Sequence, residues 1–137
     1  MSVSTEDYVE ISDGLGRYCW MLDNADADGW AGLWHKEGML LGLGPQPIVG
    51  REALRHVPQK FGEYAGRRRH LACNLFCDYG ESRSEIDAKF YNFVSTWGDT
   101  GGEATLFAIC EATFVHTEGK WLIGRNMLKL LGLPSQQ

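Results

Sequence analysis

Apolar residues recur at steps of three and four through the opening segment: Tyr8, Ile11, Leu15, Tyr18 and Leu22. That spacing predicts a helix with one buried stripe. Ser4, followed three positions later by Asp7, has the chemistry of a helix N-cap with an acidic first turn. The helix should end around Asp23 to Ala25, because Asn24, Asp26, Asp28 and Gly29 form a polar break. Trp30, Leu33 and Trp34 then predict a second short helix. Residues 38–49 (GMLLGLGPQPIV) suit two short strand-like pieces around a proline-containing turn. Gly50 opens REALRHV, a third short helix that Pro58 should end or bend.

The second half changes period. His70, Ala72, Asn74 and Phe76 alternate with Leu71, Cys73, Leu75 and Cys77, the period-two pattern of a strand. Strand-like runs follow at about 84–97, 104–116 and 120–130, separated by turn signals at Tyr79-Gly80-Glu81, Gly98 to Gly102 and Glu118-Gly119. Helices first and hairpin-linked strands afterwards predict an α+β fold with an antiparallel meander. In the run 86–97 both alternating sets are apolar, Ile86, Phe90 and Val94 against Tyr91, Phe93 and Trp97, so both sheet faces should be covered. The helices supply one cover and a second subunit the other, which predicts a homo-oligomer, a dimer or trimer. No repeat, linker or biased tract divides residues 1–137, so one domain is expected.

Charge narrows the function. Eighteen acidic against 13 basic residues give a net charge of −5, the wrong sign for binding a phosphate backbone, so nucleic acid is not expected as a partner. The acidic start MSVSTEDYVEISDG lacks the basic and apolar regions of a secretory signal. No stretch reaches the ~18 apolar residues of a membrane span, and a cytoplasmic protein without a membrane partner is expected. Cys19, Cys73, Cys77 and Cys110 lie in apolar segments with no CxxC, which reads as buried reduced thiols. Glycine is over-represented, 17 of 137 residues, and falls mostly at predicted turns and strand ends.

Asn24-x-Asp26-x-Asp28-Gly29 reproduces the first ligand positions of a calcium loop, but the twelfth position is His35 where such a loop needs a bidentate glutamate. The segment reads as a helix-capping turn, and no metal site is assigned. His70 begins a strand whose same-face neighbours Ala72, Asn74 and Phe76 mix small, polar and apolar groups, as a pocket wall does. Asp23 stands at the C-terminal end of a helix, where a carboxylate opposes the dipole and needs a stabilising partner. Paired with His70, it would hold Nδ1–H and leave Nε2 to remove a proton. Tyr18, on the same stripe, reads either as core packing or as a phenolic donor to a developing oxyanion. His35 and His56 read as surface residues. Arg67, Arg68 and Arg69 read as a solvated strand edge, with an anionic substrate as the alternative partner. Trp30, Trp34, Trp97 and Trp121 read as core and interface.

The run Tyr18-Cys-Trp-Met-Leu-Asp23-Asn-Ala-Asp26, then Gly29-Trp30-Ala-Gly-Leu-Trp34, Gly50-Arg51-Glu52-Ala53, Arg69-His70-x3-Asn74 and Gly119-Lys-Trp121-x3-Arg125 resembles the SnoaL-like branch of the nuclear-transport-factor-two-like, or cystatin-like, superfamily. The resemblance spans almost the whole chain. It implies a strongly curved antiparallel sheet wrapped by N-terminal helices into a cone with a deep apolar cavity. It also implies relatives such as scytalone dehydratase, hexachlorocyclohexane dehydrochlorinase, polyketide cyclases and ketosteroid isomerase. In the first two, an aspartate ending the first helix and a histidine on the first long strand form a catalytic dyad, and Asp23 and His70 fall at those places. The chain departs from the pattern in two respects. Only His116 is available as a further histidine, and no arginine matches the one beside the dehydrochlorinase leaving group.

The expected function is a cofactor-free lyase of the elimination type, or an isomerase, acting on a small hydrophobic molecule. Its catalytic residues would be Asp23, His70 and Tyr18, with Asn74, Phe76 and Trp30 contacting substrate. Two alternatives stand beside it: a carboxylate-base isomerase or cyclase in which Asp23 itself moves the proton, and a non-catalytic ligand-binding or assembly subunit.

Overall fold

The computed structural model describes residues 2–64 and 66–131. Helix α1 (Thr5–Asp23) starts at Ser4, whose hydroxyl accepts from the Asp7 backbone N–H at 3.1 Å. Its buried stripe is Ile11, Leu15, Tyr18, Cys19 and Leu22, and it ends on the buried Asp23. Asn24 closes the helix by donating from its side-chain amide to the Trp20 carbonyl at 2.9 Å. Asp26 then caps α2 (Ala27–Gly32), accepting from the Gly29 N–H at 2.9 Å. Asp28 pairs with Arg55. The three side chains that imitate a calcium loop are therefore each engaged in local structure.

The second helix stops before Trp34, which instead begins strand β1 (Trp34–Leu41). His35, Lys36 and Glu37 consequently belong to this strand. A register shift lies between Trp34 and Met39, so this stretch lacks clean alternation. Strand β2 (Ile48–Val49) returns antiparallel to β1, and α3 (Arg51–Leu54) follows. A 3₁₀ turn spans Pro58–Tyr64. The helix ends at Leu54, ahead of the proline expected to stop it.

Four long strands complete the chain: β3 (Arg68–Tyr79), β4 (Glu85–Gly98), β5 (Gly101–Thr117) and β6 (Lys120–Leu131). They form the expected antiparallel meander within one six-stranded sheet of order β2-β1-β6-β5-β4-β3. The sheet is curved and unclosed. One pairing departs from the antiparallel expectation, since β1 runs parallel to β6. Gly42 makes that junction possible. It has φ +88°, and a Cβ there would lie 1.9 Å from the Leu128 carbonyl oxygen, so only glycine fits against β6.

The helices cover the concave face, where Ile86, Ala88, Phe90, Val94, Ala108, Cys110, Ala112 and Phe114 are buried with the α1 stripe, Trp30 and Trp34. The convex face keeps Leu71, Phe76, Tyr91 and Trp97 exposed. No helix among the described residues is long and apolar enough to cross a membrane. The four cysteines are free thiols; Cys19, Cys77 and Cys110 are buried, whereas Cys73 points outward and is exposed, contrary to expectation.

Candidate active site

The end of α1 and the start of β3 meet at one buried contact. His70 Nδ1 lies 2.6 Å from Asp23 Oδ1, and the His70 backbone N–H donates to both carboxylate oxygens at 3.1 and 3.2 Å. Both side chains are almost wholly buried. A carboxylate only accepts, so Nδ1 is the protonated nitrogen in this contact, and in the neutral ring Nε2 carries the lone pair. The last turn of α1 holds no basic residue. The carboxylate at its negative end is stabilised by β3 instead, through one main-chain and one side-chain donor.

His70 lines an apolar cavity of about 70 Å³ together with Tyr18, Leu22, Trp30, Leu40, Val94 and Leu128. Asp23 is not among the lining residues. The carboxylate therefore stands behind the imidazole, which faces the cavity. Tyr18 and Trp30 are its aromatic lining, with ring centroids 5.2 Å apart, and Trp34, which does not line it, packs against Trp30 at 5.3 Å. Burial pushes the Tyr18 phenol well above its ordinary range, so it stays protonated. The Asn126 side-chain amide donates to the Tyr18 oxygen at 3.5 Å, at the long limit of a hydrogen bond. That leaves the phenolic hydrogen free to point elsewhere.

Asn74 and Phe76 do not line this cavity. Both are exposed, Phe76 at 56%. The reason is a β-bulge: Cys73 pairs with Tyr91 but Phe76 pairs with Lys89, so β3 holds one residue more than β4 over that interval. Asn74 has φ +56°. One extra residue reverses the parity of the strand. His70 and Ala72 face inward before the bulge, and Cys77 does so after it. Strict alternation placed Asn74 and Phe76 beside His70, and the bulge turns them to the outer face.

Three polar residues of the interior were not assigned to the site from the sequence. Arg68 lines the cavity, two residues before His70 on the same face, whereas Arg67 and Arg69 are exposed. Asn92 lines it from β4, and Asn126 supports Tyr18 from β6. Strand period was the available signal for the first two: Arg68 shares the parity of His70, and Asn92 shares that of Phe90 and Val94. His116 is exposed, packs edge-on against Trp121 at 5.0 Å and does not line the cavity. Leu43 lines it from the segment that follows β1, and residues 132–137 lie outside the described residues. Among the described residues no group of three or more His, Cys, Asp or Glu could hold a metal ion.

A model of the SnoaL-like domain matches residues 3–126. No curated protein matches the chain significantly. Solved structures match its fold at low identity. An NTF2-like protein with a cystatin-like fold from Novosphingobium aromaticivorans superposes with a TM-score of 0.84 at 20% identity, covering 96% of this chain and 86% of that one. ActVI-ORFA from Streptomyces coelicolor gives a TM-score of 0.81 at 21% identity over 92% and 98% of the two chains. A protein from Catenulispora acidiphila in complex with S-DNPA gives 0.80 at 23% identity over 93% and 95%.

Proposed function

We propose that this chain, which belongs to the SnoaL-like family, is a cofactor-free lyase of the elimination type, or an isomerase, for a small apolar molecule. The family includes polyketide cyclases, dehydratases and isomerases, and one fold relative was solved in complex with S-DNPA. The observation that carries the reading is the buried Asp23–His70 contact with the imidazole facing an apolar cavity. His70 Nε2 removes a proton from the substrate. Asp23 holds Nδ1–H and stabilises the imidazolium that forms, and the Tyr18 hydroxyl donates to the oxygen on which charge develops. In an elimination, the electron pair of the broken C–H bond forms the double bond and expels the leaving group, and His70 can return its proton to a departing hydroxyl as water.

The alternative in which Asp23 is itself the base is less well supported. Its oxygens are occupied by His70 donors, and it does not line the cavity. To test the proposal, compact hydroxy-carbonyl compounds are screened for a rise in thermal midpoint, since binding to the folded state stabilises it. Those that bind are then followed by mass spectrometry for loss of water and by proton NMR for rearrangement. Turnover by the wild type that His70→Gln abolishes supports the reading. A ligand that binds in the cavity but is never converted favours the non-catalytic alternative.

A further inference from the structure

His70 sits in the middle of a polar row. Arg68 precedes it by one two-residue step on the same face of β3. Across the β3–β4 ladder His70 pairs with Val94 and Ala72 pairs with Asn92, so Asn92 is the next residue along on the neighbouring strand. Each step is about 6.7 Å along a strand. Guanidinium, imidazole and amide are thus carried at successive steps across a wall that is otherwise almost entirely apolar.

Asn92 is the anomaly in that row. The other buried positions of β4 hold Ile86, Ala88, Phe90 and Val94. Asn92 is only 6% exposed, and its Oδ1 has no hydrogen-bond partner among the described residues. Leaving a buried acceptor unsatisfied is costly. A leucine or valine would serve packing better, so the amide needs another explanation, and its position on the cavity wall supplies one. An oxygen with free lone pairs accepts; the group that satisfies it must donate.

We infer that Asn92 is a substrate-orienting residue whose Oδ1 accepts a hydrogen bond from a hydroxyl of the substrate. The substrate class is therefore a compact apolar molecule carrying a hydroxyl about one strand step from the atom that His70 serves. This rests on the reading of the cavity as the substrate site. It adds to that reading the group that sets the molecule's orientation, and hence which of its protons His70 reaches.

The test compares two probes of similar size, phenol and toluene, titrated into the full-length protein and followed by NMR. A site with a waiting acceptor retains the hydroxyl's hydrogen bond, and an apolar replacement does not. The ratio of phenol affinity to toluene affinity should fall about tenfold in Asn92→Leu, the size expected for one hydrogen bond. Asn92→Ala serves as the second variant and should show the same fall. Loss of turnover in Asp23→Asn, which leaves Asn92 in place, reports on the dyad alone, so failure of the dyad and failure of this inference are read separately. An unchanged ratio in the folded variants, an equal loss of affinity for both probes, or a wild-type protein that binds neither overturns it.

Discussion

Replacing Asp23 by Asn exchanges one oxygen for an NH₂ group and should move a proton across the His70 ring. The carboxylate accepts from the His70 backbone N–H and from Nδ1, but an amide has one accepting oxygen. If that oxygen stays with the backbone N–H, the new NH₂ faces Nδ1, which must then accept, and the ring proton shifts to Nε2. If the amide turns over, its oxygen takes the place of Oδ1, which accepts from both donors, but the NH₂ then stands where Oδ2 was, 3.2 Å from the backbone N–H, and two donors face each other in a buried site. Retaining Nδ1–H therefore costs on the order of 1.5–3 kcal/mol, the worth of a hydrogen bond to a charged group, or roughly ten- to a hundredfold in tautomer population. The lone pair facing the cavity is lost in proportion. A serine protease triad loses about 10⁴ in rate on the same substitution, through the same fault. Long-range proton–nitrogen-15 correlations of the imidazoles report the tautomer directly, with His70 identified among the four histidines by its absence in His70→Gln. The wild type should show Nδ1–H and Asp23→Asn should show Nε2–H. Identical tautomers in the two proteins would refute the reasoning.

Further outcomes follow from other parts of the molecule. Asp7 accepts from the Tyr79 hydroxyl at 2.5 Å and the Trp121 indole at 2.9 Å, and these bonds, Tyr79 first, hold its carboxyl below the usual range. A depressed folded value means stability that is present above the unfolded carboxylate pKa of ~3.9 and lost as pH falls through the folded one. The drop in urea midpoint between about pH 5 and pH 3 should therefore be smaller in Asp7→Asn than in the wild type, and an equal drop would count against it. Burial pushes the Cys19 and Cys110 thiols up to about 12 and Cys77 to about 11, so a thiol reagent at neutral pH should label Cys73 alone in the folded protein and all four cysteines in denaturant. Gly42→Ala should cost at least about 2 kcal/mol in urea unfolding, from its left-handed backbone and the overlap with Leu128. Gly44→Ala, with nothing within 4 Å of the added carbon, should stay within about 0.5 kcal/mol.

What the sequence revealed divides along the line between local and long-range causes. The first helix was legible because its cap, stripe and end all depend on residues three or four positions apart. The Asp23–His70 contact was legible for a related reason. A carboxylate at the wrong end of a helix is a local anomaly that demands a partner, and family resemblance named which. Trp34 was read as helical because a short apolar cluster has no intrinsic period; its membership of β1 is decided by pairing with β6, nearly ninety residues away. The bulge at Asn74 was illegible to a pattern of alternation that continues unbroken through it, although asparagine tolerates the positive φ the bulge requires. That single residue separates Asn74 and Phe76 from the cavity. The polar groups that do line it, Arg68 and Asn92, were hidden for the opposite reason. Each occupies an inward parity position, but one was read as part of an arginine run and the other was lost among apolar neighbours.

The central claim is that Asp23 and His70 act as one acid-base unit on a molecule bound in the apolar cavity. Its most direct test is turnover of a substrate found by the screen, measured in the wild type, Asp23→Asn, His70→Gln and the double variant. Residues that work as a unit are strongly non-additive. Each single variant should lose at least about a hundredfold in kcat with ligand affinity kept within a few-fold, and the double variant should lose little more than His70→Gln alone. Full turnover in either single variant, or losses that simply multiply in the double, would contradict the account.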